Sequence, residues 1–111
     1  MADDYGAQPQ VNIPDAWRDS ITEVGRGRAI ETRSGANLSV AKSLRNREPD
    51  DLHAEFKFTF LDAQGVPLRQ QVDWRPMTMA PQMETVFMGT SLGPAEDWRL
   101  EIRMAAEGSH R

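Results

Sequence analysis

The chain has 111 residues, 39% apolar and 27% charged, with 13 basic against 17 acidic side chains for a formal net charge of −4. That length supplies one domain with a single core, and the acidic balance argues against a general nucleic-acid binder, which carries a basic excess. Cysteine is absent, which excludes disulfides, thiolate metal sites and cysteine nucleophiles and leaves the redox compartment open for a domain of this size.

The only lysines are Lys42 and Lys57; every other basic residue is arginine. This reads mainly as genome composition, with Arg-rich recognition of carboxylates or phosphates as the lesser alternative. No apolar run approaches the roughly 18 residues of a membrane helix. Met1-Ala2-Asp3-Asp4 is acidic where an export signal is basic and then apolar, so an exported native protein is expected to begin upstream of this chain.

In chain order, residues 1–16 hold prolines and aspartates without a sustained period and are expected to form a flexible arm, with Val11 and Ile13 laid on the edge of the domain. Ile21 to Val24 and Arg28 to Arg33 are short strand-like pieces on either side of Gly25-Arg26-Gly27. Asn37 to Asn46 alternates, with Leu38, Val40 and Leu44 on one face; Lys42 interrupts that face, which predicts an edge position or a bend. Leu52 to Gly65 is the clearest segment: Leu52, Ala54, Phe56, Phe58 and Phe60 face one way, His53, Glu55, Lys57 and Thr59 the other. With the polar turn at Glu48 to Asp51, these two segments predict a hairpin.

Beyond Gly65, Gln70 to Trp74 is extended but interrupted by its flanking prolines, Pro67 and Pro76. Met83 to Thr90 is strand-like, Leu92 to Asp97 is expected as a loop, and Trp98 to Met104 alternates again. Pro14 to Ile21 and Ala36 to Arg47 are the only helical alternatives, and the second fits a period of two at least as well. Short alternating segments with turn signals between them point to an antiparallel sandwich or small barrel over residues 17–105, followed by a disordered tail at 106–111.

The aromatic strand running into Phe60-Leu61-Asp62-Ala63-Gln64-Gly65, followed by Trp74-Arg75-Pro76 with Pro81, then Gly93-Pro94 and Trp98-Arg99-Leu100-Glu101-Ile102-Arg103, resembles the YcfL-like family of small bacterial periplasmic lipoproteins, a domain family of unknown function. The resemblance covers about residues 20–105. It implies an all-β, antiparallel immunoglobulin-like sandwich of about seven strands, export across the inner membrane, and an outer-membrane anchor through a lipidated N-terminal cysteine. That cysteine is not in this chain. Some members are encoded beside lipoproteins that activate peptidoglycan synthases, which implies work in the envelope. The family carries no catalytic motif to transfer.

Read residue by residue, the chemistry is sparse. His53 and Glu55 could supply two metal ligands, but a third is wanting, since the other histidine, His110, lies in the tail; a wet sheet face is the plainer reading. Asp62-Ala63-Gln64-Gly65 has turn chemistry and lacks the dense oxygen ligands of a calcium loop. No nucleophile elbow and no phosphate loop is present. Arg26, Arg28 and Arg33 read as a solvated rim. Trp98 is expected in the core. Trp74, Arg75, Met77 and Met79 are the candidate partner-binding residues, because a tryptophan on a proline-flanked edge beside methionines can anchor a partner as well as pack. The expectation is a non-catalytic envelope module without cofactor or metal, meeting a protein or peptidoglycan-related partner; the alternative is a small-ligand or metal binder on the face around His53.

Overall fold

The computed structural model describes residues 9–24 and 28–105. Along the chain run β1 (Val11–Asn12), a 3-10 turn (Asp15–Trp17), β2 (Ile21–Glu23), β3 (Ile30–Ser34), β4 (Asn37–Asn46), β5 (Leu52–Leu61), β6 (Arg75–Met79), β7 (Glu84–Pro94) and β8 (Asp97–Met104). They form two facing sheets, an all-β sandwich of eight strands where about seven were expected. Of the expected arm, residues 1–8 lie outside the described residues, as do Gly25-Arg26-Gly27 and the tail at 106–111. Val11 and Asn12 pair in parallel with Leu100 and Glu101.

The first sheet has the order β1-β8-β5-β6, with β5 antiparallel to both β6 and β8. In the second, Leu44 and Arg45 pair with β2 and also with β7, and residues 39–41 pair with β3 and also with β7. A strand has two sides only, so β2 and β3 share one edge of β4 and β7 holds the other. Glu23 faces Leu44 and Ile30 faces Ala41, so this edge is made of two short strands set end to end.

β4 is therefore the central strand, and the edge position expected from Lys42 is wrong. Lys42 is fully buried and points inward with Leu38, Val40 and Leu44. Its Nζ lies 2.8 Å from Glu23 Oε1 at the rim of the sandwich. A charge brought into the interior needs such a partner, and β2 supplies one from the neighbouring strand. Neither helical alternative forms: residues 37–46 are β4, and the segment from Pro14 contains a single 3-10 turn. The expected hairpin does not form either, because the chain crosses at Glu48 to Asp51 from one sheet to the other and β4 and β5 pair with different strands.

Alternation places the core. Phe56, Phe58 and Phe60 of β5 and Trp98, Leu100 and Ile102 of β8 face Leu38, Val40, Leu44 and Phe87 of the second sheet. Phe56 meets Phe87 edge to face at 5.1 Å, and Phe58 stacks on Phe60 at 5.9 Å. Burying each such ring contributes about 1.5–3 kcal/mol.

Two departures from alternation have identifiable causes. Thr59 and Leu61 are buried although they lie on the other face of β5. Beside them the chain after Gly65 returns along β5: Leu68 N–H donates to Phe60 O, and the Gln71 amide bonds both Phe60 O and Phe60 N–H, taking the place of a neighbouring strand. The expected loop at residues 92–97 begins instead as strand. Ser39 pairs with Thr90 and Asn37 with Pro94, so β7 bulges between them. Ser91 Oγ fills the gap, accepting from Leu38 N–H and donating to Gly93 O.

Candidate interaction face

The inner faces of the sandwich are filled, so any contact with another molecule is made on an outer face, an edge or a loop. The outer face of the first sheet is charged. Arg103 Nε lies 2.8 Å from Glu55 Oε1, and its guanidinium covers the Trp74 ring at 3.9 Å. His53 Nδ1 is 3.4 Å from Thr78 Oγ1. Among the described residues no three His, Cys, Asp or Glu side chains group around a metal position. The Asp62 turn forms as expected: Asp62 Oδ1 accepts from the N–H groups of Gln64 and Val66, and Gly65 takes φ +79°.

The four residues singled out for a partner do not share one exposed face. Arg75, Met77 and Met79 alternate inward along β6. Met79 is fully buried among core residues, and Met77 packs against them half-buried. Arg75 places its guanidinium 4.6 Å from the Phe56 ring and donates to Met88 O across the gap between β6 and β7. Trp74 is half-buried on the other face beneath Arg103. Of the basic rim, Arg33 reaches Ala95 O and Glu96, Arg28 is exposed, and Arg26 lies outside the described residues.

The outer face of the second sheet is the unexpected feature. Here β4 presents small residues, Ser39, Ala41 and Ser43, and its neighbours stand higher on both sides. Ala41 pairs with Ile30 on one flank and Met88 on the other, and Ser43 pairs with Val86. Ile30 is 71% exposed and Met88 62%, with Val86 and Leu92 also exposed. The result is an aliphatic row across the sheet with a shallow depression on each side. One, about 460 Å³, is bordered by Val24, Arg28, Glu84 and Val86; the other, about 300 Å³, by Thr32, Ser39 and Thr90. A third, about 540 Å³, lies off the end of β7 between Leu68, Arg69 and Leu92. Contiguous exposed apolar surface of this kind marks contact sites more often than single exposed residues do.

Sequence reading passed over this face because each component is ordinary alone. Ile30 belongs to one short strand-like piece and Met88 to another far along the chain, and nothing local joins them. The available signal was the outward set of β7, Val86, Met88 and Leu92, which alternates with inward Phe87 and Ser91.

The fold and the surface define a β-sandwich domain with several exposed apolar side chains gathered on one sheet face. The chain belongs to the family described as protein of unknown function (DUF1425), whose model matches residues 22–104. Among solved structures, it is similar to Campylobacter jejuni cj0090, with a TM-score of 0.69 and 19% identity, covering 88% of this chain and 100% of that one. It is also similar to a DUF1425 family member from Shewanella sp. pv-4, with a TM-score of 0.64 and 17% identity, covering 79% of each chain. At those identities the likeness concerns the fold. No curated protein matches the sequence. Among the described residues no helix is long and apolar enough to cross a membrane.

Proposed function

We propose that this chain is a non-catalytic module of the bacterial cell envelope that holds a protein partner on the outer face of the β2/β3-β4-β7 sheet. The observation that carries the reading is the exposed aliphatic row Ile30–Ala41–Met88 with its two flanking depressions. A protein is favoured over a cell-wall glycan because sugar rings stack on aromatic faces, and none of Trp17, Trp74 or Trp98 lies on this one: Trp98 is in the core, Trp17 packs against it, and Trp74 sits under Arg103. The envelope location rests on the resemblance to periplasmic lipoproteins, in which a lipidated cysteine upstream would tether the domain to the outer membrane.

The test is a photoreactive residue placed at Thr32 in the full-length protein in living cells. One envelope protein is expected to be captured reproducibly, and the same capture in an Ile30→Asp background is expected to fall severalfold. Capture unchanged by that substitution, recovery of glycan alone, or no adduct would each remove the reading. Labelling of the full-length protein with a radioactive fatty acid checks the tether separately.

A further inference from the structure

The described edges of the sandwich are protected to different degrees. β1 is two residues long and β6 carries Pro76 among its five. The β2/β3 edge is made of two short strands, and Glu31 and Arg33 reach from it to Trp98 Nε1 and Ala95 O. These are the ordinary devices by which a sheet edge is kept from pairing with another chain. β7 has eleven residues and pairs only with β4. Its regular stretch, Glu84 to Thr90, contains no lysine, arginine or proline and a single charge, at its start.

The hydrogen-bond pattern tells which residues of β7 face outward in the plane of the sheet. Asn46 N–H donates to Met83 O, so the alternate residues Thr85, Phe87 and Gly89 bond β4. The N–H and C=O groups of Glu84, Val86, Met88 and Thr90 point away from it. Arg75 Nη2 reaching Met88 O at 2.9 Å from outside the sheet agrees. The same residues carry the exposed side chains of the outer face, so the outward-pointing backbone groups, of which Met88 O is already bonded by Arg75, and the exposed apolar groups belong to one set.

We infer that a second copy of this chain pairs antiparallel along β7, joining two sandwiches into one continuous sheet. With the two-fold axis at Phe87, the regular stretch Glu84–Thr90 pairs with itself along its whole length. Glu84 then faces Thr90 of the other copy, and Val86 faces Met88. The one charge of this stretch, Glu84, thus faces a neutral residue, so no like charges within β7 lie directly opposite each other. The apolar row would run Ile30–Ala41–Met88 in one copy and continue through Val86, Ser43 and the strands beyond in the other. Met88 O has two lone pairs, so it can accept from the second copy's Val86 N–H while keeping Arg75. Pairing leaves the outer faces open, so the dimer and the proposed partner face can each exist without the other.

Sedimentation equilibrium of the chain from micromolar to millimolar concentration tests this, together with amide exchange followed by NMR. The mass is expected to rise from one chain to two, with the Val86 and Met88 amides gaining protection as it does. Two variants of matched size set the register. V86K/M88K puts like charges opposite each other across the seam and is expected to weaken association at least about tenfold, while V86E/M88K puts opposite charges there and is expected to retain it. Positions 86 and 88 are exposed, and amide spectra at low concentration check that both variants fold. A monomer at millimolar concentration, protection on another edge, or equal behaviour of the two variants overturns the inference. So does a chain that stays monomeric but gains protection at these amides from a foreign extended peptide. The Thr32 capture is read in cells on the far side of the sheet, so either result can fail alone.

Discussion

Lys42 illustrates how a single side chain can be placed against its type. Its ammonium is 2.8 Å from Glu23 Oε1, and the carboxylate side chain is itself 44% exposed. Removing the carboxylate leaves the charge buried and alone, whereas removing the ammonium leaves an aliphatic stem in an aliphatic setting. Urea unfolding should therefore show Glu23→Ala losing roughly 1–3 kcal/mol, reduced from the fully buried case by the solvent near Glu23. Lys42→Met should be neutral or stabilising, and a loss larger than that of Glu23→Ala would show that the pair itself holds the fold. Gly89 is constrained differently: a Cβ there would lie 2.5 Å from Phe58 Cδ2 and 2.9 Å from Cγ. Phe58 is buried and stacked, so Gly89→Ala should cost about 1–3 kcal/mol through overpacking, with ring-current shifts of the Phe58 and Phe60 resonances as the direct sign.

At the scale of elements, the segments with strict alternation were readable. β4, β5 and β8 each put their large apolar side chains on one face, Leu61 of β5 excepted, and a one-residue slip would have exposed that set. Elements whose form depends on side-chain hydrogen bonds were not readable in the same way. The bulge in β7 exists because the Ser91 hydroxyl accepts from Leu38 N–H and donates to Gly93 O. Ser91→Ala should cost about 1–3 kcal/mol by leaving a buried N–H unpaired, and rapid exchange of the Leu38 amide would report the cause; an amide that stays protected would assign the bulge to the backbone instead. The return of residues 66–71 along β5 is of the same kind. It turns on Gln71, whose amide bonds Phe60 on both its polar groups, and no period in the sequence announces it.

Across the whole molecule, the sandwich is closed on its two long sides by different means. On one side Glu31 and Arg33 of β3 reach Trp98 Nε1 and Ala95 O. On the other, Arg75 spans from β6 to Met88 O while lying over Phe56. Replacing Arg75 by alanine removes both contacts, so amides of β6 should exchange faster and stability should fall by about 1–2 kcal/mol, with the β4 amides little changed. Uniform acceleration across both sheets would show that Arg75 supports the core and not only this side. The candidate face is a property of the same scale. It is assembled from Ile30, Ala41 and Met88, residues 11 and 47 positions apart along the chain, and neither pairing is written in local pattern.

What the sequence determined by itself was the class of fold, the alternating strands and the Asp62–Gly65 turn, because these depend on the period of apolar residues and on local backbone chemistry. The family match over residues 22–104 shows a family of unknown function, which is coarser than the resemblance drawn from the aromatic strand and the Trp74-Arg75-Pro76 segment. Tertiary structure alone decided that β4 is central despite Lys42, that Met79 is core rather than surface, and that β7 ends the sheet with apolar side chains and outward-pointing backbone groups together. Those outcomes depend on which strands become neighbours. Strand pairing joins residues far apart in sequence, and the partner that neutralises Lys42, like the small residues that leave Ile30 and Met88 standing proud, comes from another strand.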